Sequence, residues 1–210
     1  MIGRRKNPYD KSRALPVGHL GYPFPCARSA RLERVDAELE HGEREFLYHL
    51  PLLVNGGIIG NLGDGGSATI FALSLIEHQL PGRVYTVDFY DDVVRRRKLR
   101  EREELGVAEL VVLIHESTRS AKERLRRKTF SLLFVDANHE YEHCRTDVLM
   151  YESLVPERGY MAFHDTNQES VDRVIQELVM PTWEMLWWVN RIKVFRRQHG
   201  RPVRSERREA

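Results

Sequence analysis

Residues 57–80 read GIIGNLGDGGSATIFALSLIEHQL, and this stretch decides the fold. The short apolar run at 57–62 is typical of a buried strand, and the glycine-rich run at 63–67 is typical of a tight turn. The apolar positions from 68 to 80 suit a buried helix. A strand, a glycine turn and a helix in this order open an α/β sheet, so we expect strands and helices to alternate along the chain.

The sequence on both sides of this unit continues the alternation. The strand-like segments are apolar throughout, as in a parallel sheet covered by helices on both faces, and the last two predict a closing antiparallel hairpin. The predicted fold is α/β, Rossmann-like and doubly wound, with a mostly parallel seven-stranded sheet. The further predicted strands are 83–89, 109–114, 131–136, 160–165, 183–189 and 192–196, and the further helices are 38–50, 91–105, 120–128, 143–154 and 169–179.

The 210-residue chain, 41% hydrophobic, can build one continuous core. We expect an irregular arm at 1–42 that serves as a substrate cover, a main domain at 43–197, and a basic, disordered tail at 198–210. No apolar run reaches the roughly 20 residues that span a bilayer, so we expect a cytoplasmic protein without a membrane partner. Cys26 and Cys144 are too few and too far apart for a disulfide framework or a paired metal site.

The basic residues are clustered, although the formal net charge is only +2. Clusters at the start, at 95–98 and from Arg196 onward could attract an anionic partner. No aromatic platform or nucleic-acid-binding module accompanies them, so we do not expect nucleic acid as a partner. The tryptophans at 183, 187 and 188 predict sheet packing or a subunit contact, as in a homodimer.

Polar residues follow four of the predicted parallel strands. The first strand ends in the glycine loop, the second in Asp88, the fourth in Asp136 and the fifth in His164 and Asp165. The carboxyl ends of parallel strands meet at one edge of a sheet, where ligands bind. Glycines let a ligand approach the backbone, and Asp88 can accept two hydrogen bonds from ribose hydroxyls. The pattern therefore predicts an adenosine-containing ligand at this edge.

The glycine loop at 63–68 differs from two common nucleotide-binding loops. It lacks the third spaced glycine of Gly-x-Gly-x-x-Gly in nicotinamide enzymes, and it lacks the Gly-Lys-Ser/Thr ending of a phosphate loop. By itself it is equally compatible with a turn that binds nothing. The carboxylate at Asp88 is what makes a ligand the better interpretation.

Four segments of the chain resemble the class I S-adenosylmethionine-dependent methyltransferases, especially the cephalosporin-hydroxylase-like and macrolide sugar O-methyltransferases. The similarity spans about residues 43–195, and its segments are NLGDGGS at 61–67, YTVD at 85–88, FVDANHEYE at 134–142 and GYMAFHDT at 159–166. The resemblance implies that the glycine loop wraps the methionine part of S-adenosylmethionine, that Asp88 holds its ribose, and that Glu116 and Ser117 lie beside its adenine. The implied cofactor-binding residues are Asn61, Gly63, Asp64, Gly65, Gly66, Ser67, Asp88, Phe89, Glu116, Ser117 and Asp136.

A divalent metal, Mg or Mn, is the second expected cofactor. Asp136 and Asp165 end neighbouring predicted strands, so their carboxylates could meet on one hard cation that orients an acceptor hydroxyl. In relatives, a third acidic metal ligand stands at the position of His164. By this resemblance, His164 would be the third metal ligand in this chain. Imidazole suits manganese, iron or zinc better than magnesium.

Two positions depart from the family pattern. Asn61 stands where the first motif usually has an acidic residue that contacts the donor's amino group. Asn138 replaces an aspartate proposed as the general base in some relatives. His139 is the substitute base that we predict, because imidazole titrates near neutrality.

We therefore expect a methyltransferase that uses Asp136, His139 and Asp165 to prepare an oxygen of a small-molecule acceptor. The enzyme would contribute alignment and a charge-matched site. Two alternatives stay open. One is a module that binds the donor but has lost catalysis, as Asn61 and Asn138 allow. The other is a metal-dependent hydrolase using the same cluster with His164, which would act without a sulfonium donor.

Overall fold

The computed structural model describes residues 29–198, which form a seven-stranded sheet with helices on both faces. The strand order is β3-β2-β1-β4-β5-β7-β6, with β1 to β5 parallel and β7 antiparallel to both its neighbours. This confirms the predicted fold class. The strands are β1 Gly57–Leu62, β2 Gly82–Val87, β3 Val111–Ile114, β4 Leu132–Val135, β5 Tyr160–Phe163, β6 Trp183–Val189 and β7 Ile192–Arg197, and the helices are α1 His41–Leu53, α2 Ser67–Glu77, α3 Asp92–Glu104, α4 Thr118–Leu125, α5 Tyr141–Tyr151 and α6 Glu169–Val174.

The core forms two layers, one on each face of the sheet. Helices α1 and α2 cover one layer, where Phe71 and Phe134 pack edge to face with their ring centroids 5.7 Å apart. Helices α4, α5 and α6 cover the other, where Phe163 and Phe195 pack in the same way at 5.9 Å. Burying each such side chain contributes about 1.5–3 kcal/mol, so both faces of the sheet are needed for stability.

The strand register brings the polar residues predicted at the strand ends to one level. Leu62, the last residue of β1, pairs with the last residues of β2 and β4, Val87 and Val135, and Val135 pairs with Phe163 at the end of β5. The strand order reverses between β1 and β4, which opens a crevice at their carboxyl ends. The residues that follow these strands therefore surround one crevice.

The helices differ from their predicted bounds by a few residues, and two of these differences have a clear structural basis. Helix α1 was expected at 38–50 but begins at His41 after a capping box formed by Glu40 and Glu43, and it continues through Pro51 to Leu53. Proline in the last turn removes one backbone donor, and a helix tolerates that loss near its end better than in its middle. The predicted helix 169–179 divides into α6 and a π-helical turn, Ile175–Val179.

Some predictions concern residues outside the described part of the chain. These are the first 28 residues of the arm, with Cys26, and the tail from residue 199 onward. Within the described part, the arm contains a 3₁₀ turn, Leu32–Arg34, before α1 begins. Among residues 29–198, no helix has the length and apolar character that crossing a membrane requires.

Candidate functional site

A cavity of about 530 Å³ opens at the carboxyl edge of the sheet, where the strand order reverses. Its walls come from the glycine loop, the residues after β2, β4 and β5, the start of α4, and the segment before α1. Two predicted cofactor-binding residues, Asn61 and Gly66, are not in its lining. The predicted residues that do line it are Gly63, Asp64, Gly65, Ser67, Asp88, Phe89, Glu116, Ser117, Asp136, His139, His164 and Asp165.

The glycine loop shapes the floor of the cavity. Gly63 and Gly66 have φ angles of 86° and 111°, a region that favours glycine. A Cβ at Gly63 would overlap the backbone carbonyl of Asp136, and one at Gly66 would overlap Ala37, whereas a Cβ at Gly65 would meet nothing within 4 Å. The loop leads into α2, whose first N–H groups suit an anionic group such as the donor's carboxylate. The loop is therefore closed on the protein side and open on the ligand side.

Asn61 lies beneath this loop and is fully buried. Its amide donates to the carbonyl of Gly63 at 2.5 Å and to Oγ1 of Thr86 at 2.9 Å, and its oxygen accepts from Ser67 at 3.0 Å. A carboxylate could not make these two donations. Asn61, which departs from the family pattern, thus stabilises the glycine loop. All of these hydrogen bonds of its side chain are made within the protein.

Asp64 lines the cavity, and its carboxylate is fully buried. Its Oδ2 accepts from the Tyr90 hydroxyl at 2.8 Å and forms a buried ion pair with Arg102, while Oδ1 has no hydrogen-bond partner among the described residues. The Arg102 guanidinium compensates the buried charge of Asp64, while Oδ1 keeps unused acceptor capacity. Neither Tyr90 nor Arg102 was predicted as part of the site.

Asp88 follows β2 directly and anchors the glycine loop. Its Oδ2 accepts from the backbone N–H of Asp64 at 2.6 Å, which leaves acceptor capacity on the carboxylate. Burial raises the pKa of Asp88 above its usual range. The carboxylate is half-buried at the cavity wall, where two ribose hydroxyls could reach it.

An aromatic stack stands at the end of the cavity beyond Asp88. The Phe89 ring, 74% exposed, is stacked on His115 with centroids 5.0 Å apart and planes 14° from parallel. Ser117 caps α4 by accepting from the N–H of Ser120, and Glu116 forms an ion pair with Arg124 at 2.7 Å. The planar surface of Phe89 and the polar edge at Glu116 suit a heteroaromatic base.

Three predicted catalytic residues meet on the opposite side of the cavity. One ligand atom each from Asp136, His139 and Asp165 lies within 4.8 Å of the others. His139 Nε2 is 2.9 Å from Asp165 Oδ2 and 3.6 Å from Asp136 Oδ1, yet it makes no hydrogen bond within the described chain. Asp136 raises the pKa of His139 against the effect of burial. Converging carboxylate oxygens and an imidazole nitrogen fit a divalent transition metal.

His164, predicted as a metal ligand, lies next to this cluster with both ring nitrogens facing carboxylates. Its Nε2 is 3.3 Å from Glu43 Oε2, and its Nδ1 is 3.1 Å from Asp136 Oδ1 and 3.3 Å from Asp165 Oδ2. Burial lowers the pKa of His164, but hydrogen bonds to Asp136 and Glu43 outweigh it and raise the pKa to about 10. Because both ring nitrogens of His164 already face carboxylates, His139 takes the third position in the candidate ligand set.

Two further residues of the site, Glu43 and Arg191, were not predicted from the sequence. Arg191 in the β6–β7 turn donates to both oxygens of Glu43, at 3.1 and 2.8 Å, and to Asp165 Oδ1 at 2.9 Å. Asp165 itself has a φ of 48°, a strained conformation that such contacts hold in place. Burial raises the pKa of Glu43, but His164 and Arg191 bring it down to about 2.

The described part of the arm forms one wall of the cavity through Glu38 and Leu39. Arg44 fixes this segment, because its guanidinium donates to the carbonyls of Val35 at 2.7 Å, Ala37 at 2.5 Å and Leu39 at 3.1 Å. The arm's role as a substrate cover remains a prediction, and its last residues stand where such a cover would begin.

Comparison with known proteins agrees with this geometry. The family described as "Methyltransferase domain" matches residues 61–166, half of the chain. No curated protein matches the sequence of this chain. A structure of the O-methyltransferase TomG from Streptomyces achromogenes, in complex with S-adenosylmethionine, is similar with a TM-score of 0.65 at 16% identity, over 81% of this chain and 91% of that one. A structure of an O-methyltransferase from Bacillus cereus in complex with S-adenosylhomocysteine is similar with a TM-score of 0.64 at 14% identity, over 84% of this chain and 94% of that one.

At these identities the structures show a shared fold, and the family match adds the sequence motifs. The matched region contains the glycine loop, Asp88, Asp136 and Asp165, the residues that surround the cavity. The chain therefore belongs to the methyltransferase-domain family, as a class I S-adenosylmethionine-dependent methyltransferase.

Proposed function

We propose that the protein transfers the methyl group of S-adenosylmethionine to an oxygen of a small hydroxylated acceptor, with a divalent cation at Asp136, His139 and Asp165. The observation that carries this proposal is that one cavity contains both a donor-compatible wall, with Asp64 and Asp88, and the carboxylate–histidine cluster. Transfer to a hydroxyl also needs a group that activates the oxygen, either a bound metal or a general base, and the cluster offers residues for both. The cluster is therefore the argument for an oxygen nucleophile.

The donor wall provides complementary groups for each part of S-adenosylmethionine. The start of α2 would bind the donor's carboxylate, and Asp64, which lines the cavity, would lie near its ammonium group. Asp88 would accept from the ribose, and Phe89 would cover the adenine. The space above Gly65 would hold the chain that joins them.

The cluster would prepare the acceptor. The transfer forms an oxygen–methyl bond, breaks the methyl–sulfur bond, and releases S-adenosylhomocysteine and one proton. A divalent cation bound there polarises a hydroxyl and lowers its pKa. His139 Nε2 has a single lone pair, so it serves either as a metal ligand or as the general base first predicted. The ligand role is favoured because Nε2 approaches Asp165 to 2.9 Å without a hydrogen bond.

A methyl-transfer assay tests the proposal. The protein is incubated with S-adenosylmethionine and a panel of hydroxylated acceptors, with Mn²⁺ or with EDTA, and products are identified by mass spectrometry. We expect products that gain one methyl group, a loss of turnover in EDTA, and its recovery with Mn²⁺. Metal-independent turnover that His139→Gln abolishes would instead support the base role.

The two alternatives give different results in the same assay. A donor-binding module without catalysis would bind S-adenosylhomocysteine but methylate no acceptor. A hydrolase would consume ester or phosphoester substrates without any donor, and it would not bind adenosine-containing ligands.

A further inference from the structure

Glu43 is a buried carboxylate that borders the proposed metal site without lining the cavity. It lies in the first turn of α1, outside the segments that resemble the family. Its hydrogen bonds come from the Arg191 guanidinium and backbone, from His164, and from the backbone of Glu40. Because Glu43 is fully buried, the loss of these partners would leave a carboxylate without compensation, which is costly.

Arg191 and His164, the two side chains that contact Glu43, each also contact one carboxylate of the cluster. Arg191 donates to Asp165 Oδ1 at 2.9 Å, and His164 Nδ1 lies 3.1 Å from Asp136 Oδ1. One oxygen of each aspartate is thus held in place, and for Asp136 this is also the oxygen that lies 3.6 Å from His139 Nε2. The Oδ2 of Asp165 lies 2.9 Å from His139 Nε2 and 3.3 Å from His164 Nδ1.

From these contacts we propose that Glu43 is a positioning residue for the metal site: it anchors Arg191 and His164, which hold Asp165 and Asp136 in the geometry that binds a divalent cation. The inference rests on the proposed function, because it concerns the same site. It adds a residue from α1, an element that none of the ligands belongs to. Residues in this supporting position commonly change metal affinity by roughly 10–100-fold.

Manganese titration of the full chain tests this inference, with affinity measured by electron paramagnetic resonance of free Mn²⁺. Glu43→Gln keeps the shape of the side chain and removes its charge, and we expect Mn²⁺ binding to weaken by at least roughly tenfold. Glu77→Gln is the matched control, because Glu77 also contacts an arginine and α1, through Arg31 and Tyr48, but lies away from the cavity. We expect it to leave Mn²⁺ affinity unchanged.

Binding of S-adenosylhomocysteine separates positioning from general damage to the fold. It should stay within about threefold of the wild-type value in both variants, since the donor wall does not contact Glu43. Equal Mn²⁺ affinity in the wild type and in Glu43→Gln would overturn the inference. So would a parallel loss of both ligands, which would indicate a role in folding alone.

Two further variants keep the outcomes distinct. Asp165→Asn should abolish Mn²⁺ binding; if the wild type does not bind Mn²⁺ at all, the proposed metal site fails and this inference fails with it. If Asp165→Asn loses Mn²⁺ but Glu43→Gln does not, only the positioning role is wrong. Should Glu43→Gln not fold, Arg191→Lys is the second variant, at a side chain that is 28% exposed. It keeps the charge but replaces three donor nitrogens by one, and unchanged Mn²⁺ affinity in that variant would contradict the inference.

Discussion

Asp88→Ala tests the donor wall most simply. The carboxylate accepts from the backbone N–H of Asp64 at 2.6 Å and has remaining acceptor capacity for ribose hydroxyls. A hydrogen bond to a charged group contributes about 1.5–3 kcal/mol, and about 1.4 kcal/mol corresponds to a tenfold change in affinity. We therefore expect Asp88→Ala to weaken S-adenosylhomocysteine binding by roughly 10–100-fold, measured by isothermal titration calorimetry.

The pH dependence of binding adds a second test of the same residue. Burial raises the pKa of Asp88, so the carboxylate becomes protonated at a higher pH than an ordinary aspartate. A protonated carboxyl accepts weaker hydrogen bonds, and the affinity of the wild type should therefore fall as the pH is lowered through that pKa. The affinity of Asp88→Ala should change less over the same interval.

Asp92→Ala is the control for this experiment. Asp92 lies four residues further along, with a 64% exposed side chain paired to Arg95, and it does not line the cavity. The control should bind S-adenosylhomocysteine as the wild type does. An affinity change below about threefold in Asp88→Ala, or an equal loss in Asp92→Ala, would refute the assignment of the ribose to Asp88.

Three other predictions concern the stability of the fold and of the glycine loop. Burial raises the pKa of Asp147 from 3.8 to about 6, so its ionisation destabilises the folded state as the pH rises between those values. In denaturant titrations, Asp147→Asn should therefore stabilise the protein by at most about 3 kcal/mol at pH 8 and by little below pH 4. Gly63→Ala should cost roughly 1–3 kcal/mol because of its positive φ and the overlap with Asp136, whereas Gly65→Ala should leave the melting temperature nearly unchanged and weaken S-adenosylhomocysteine binding. Asn61→Asp restores the acidic residue that is usual in the family. It should destabilise the folded protein by roughly 1–3 kcal/mol, because the hydrogen bonds that the buried amide donates to Gly63 and Thr86 are lost. Donor binding should not become stronger, and an improved affinity would contradict this explanation.

Much of the fold could be predicted because its strands are apolar and their ends carry turn residues. Strand β1 has the predicted bounds, 57–62, since glycines flank it on both sides. Asp88 and Asp136 could be predicted at one edge because parallel strands align their carboxyl ends. These features depend on local sequence and on the rules of sheet topology.

The supporting contacts of the site could not be predicted in the same way. Glu43 is 121 residues from His164 and 148 from Arg191, so their meeting depends on how α1 packs against the last hairpin. Arg102 belongs to a helix whose mixed charges are typical of a solvated face, yet its guanidinium turns inward to Asp64. Such pairings follow from tertiary packing, for which the linear pattern carries no signal.

A crystal structure with S-adenosylhomocysteine and Mn²⁺ is the most direct test of the claim that one cavity combines a donor wall with a metal site. We predict the ribose on Asp88 and one anomalous manganese peak coordinated by Asp136, His139 and Asp165. A nucleoside bound elsewhere, or manganese absent from this cluster at saturating concentration, would contradict the account.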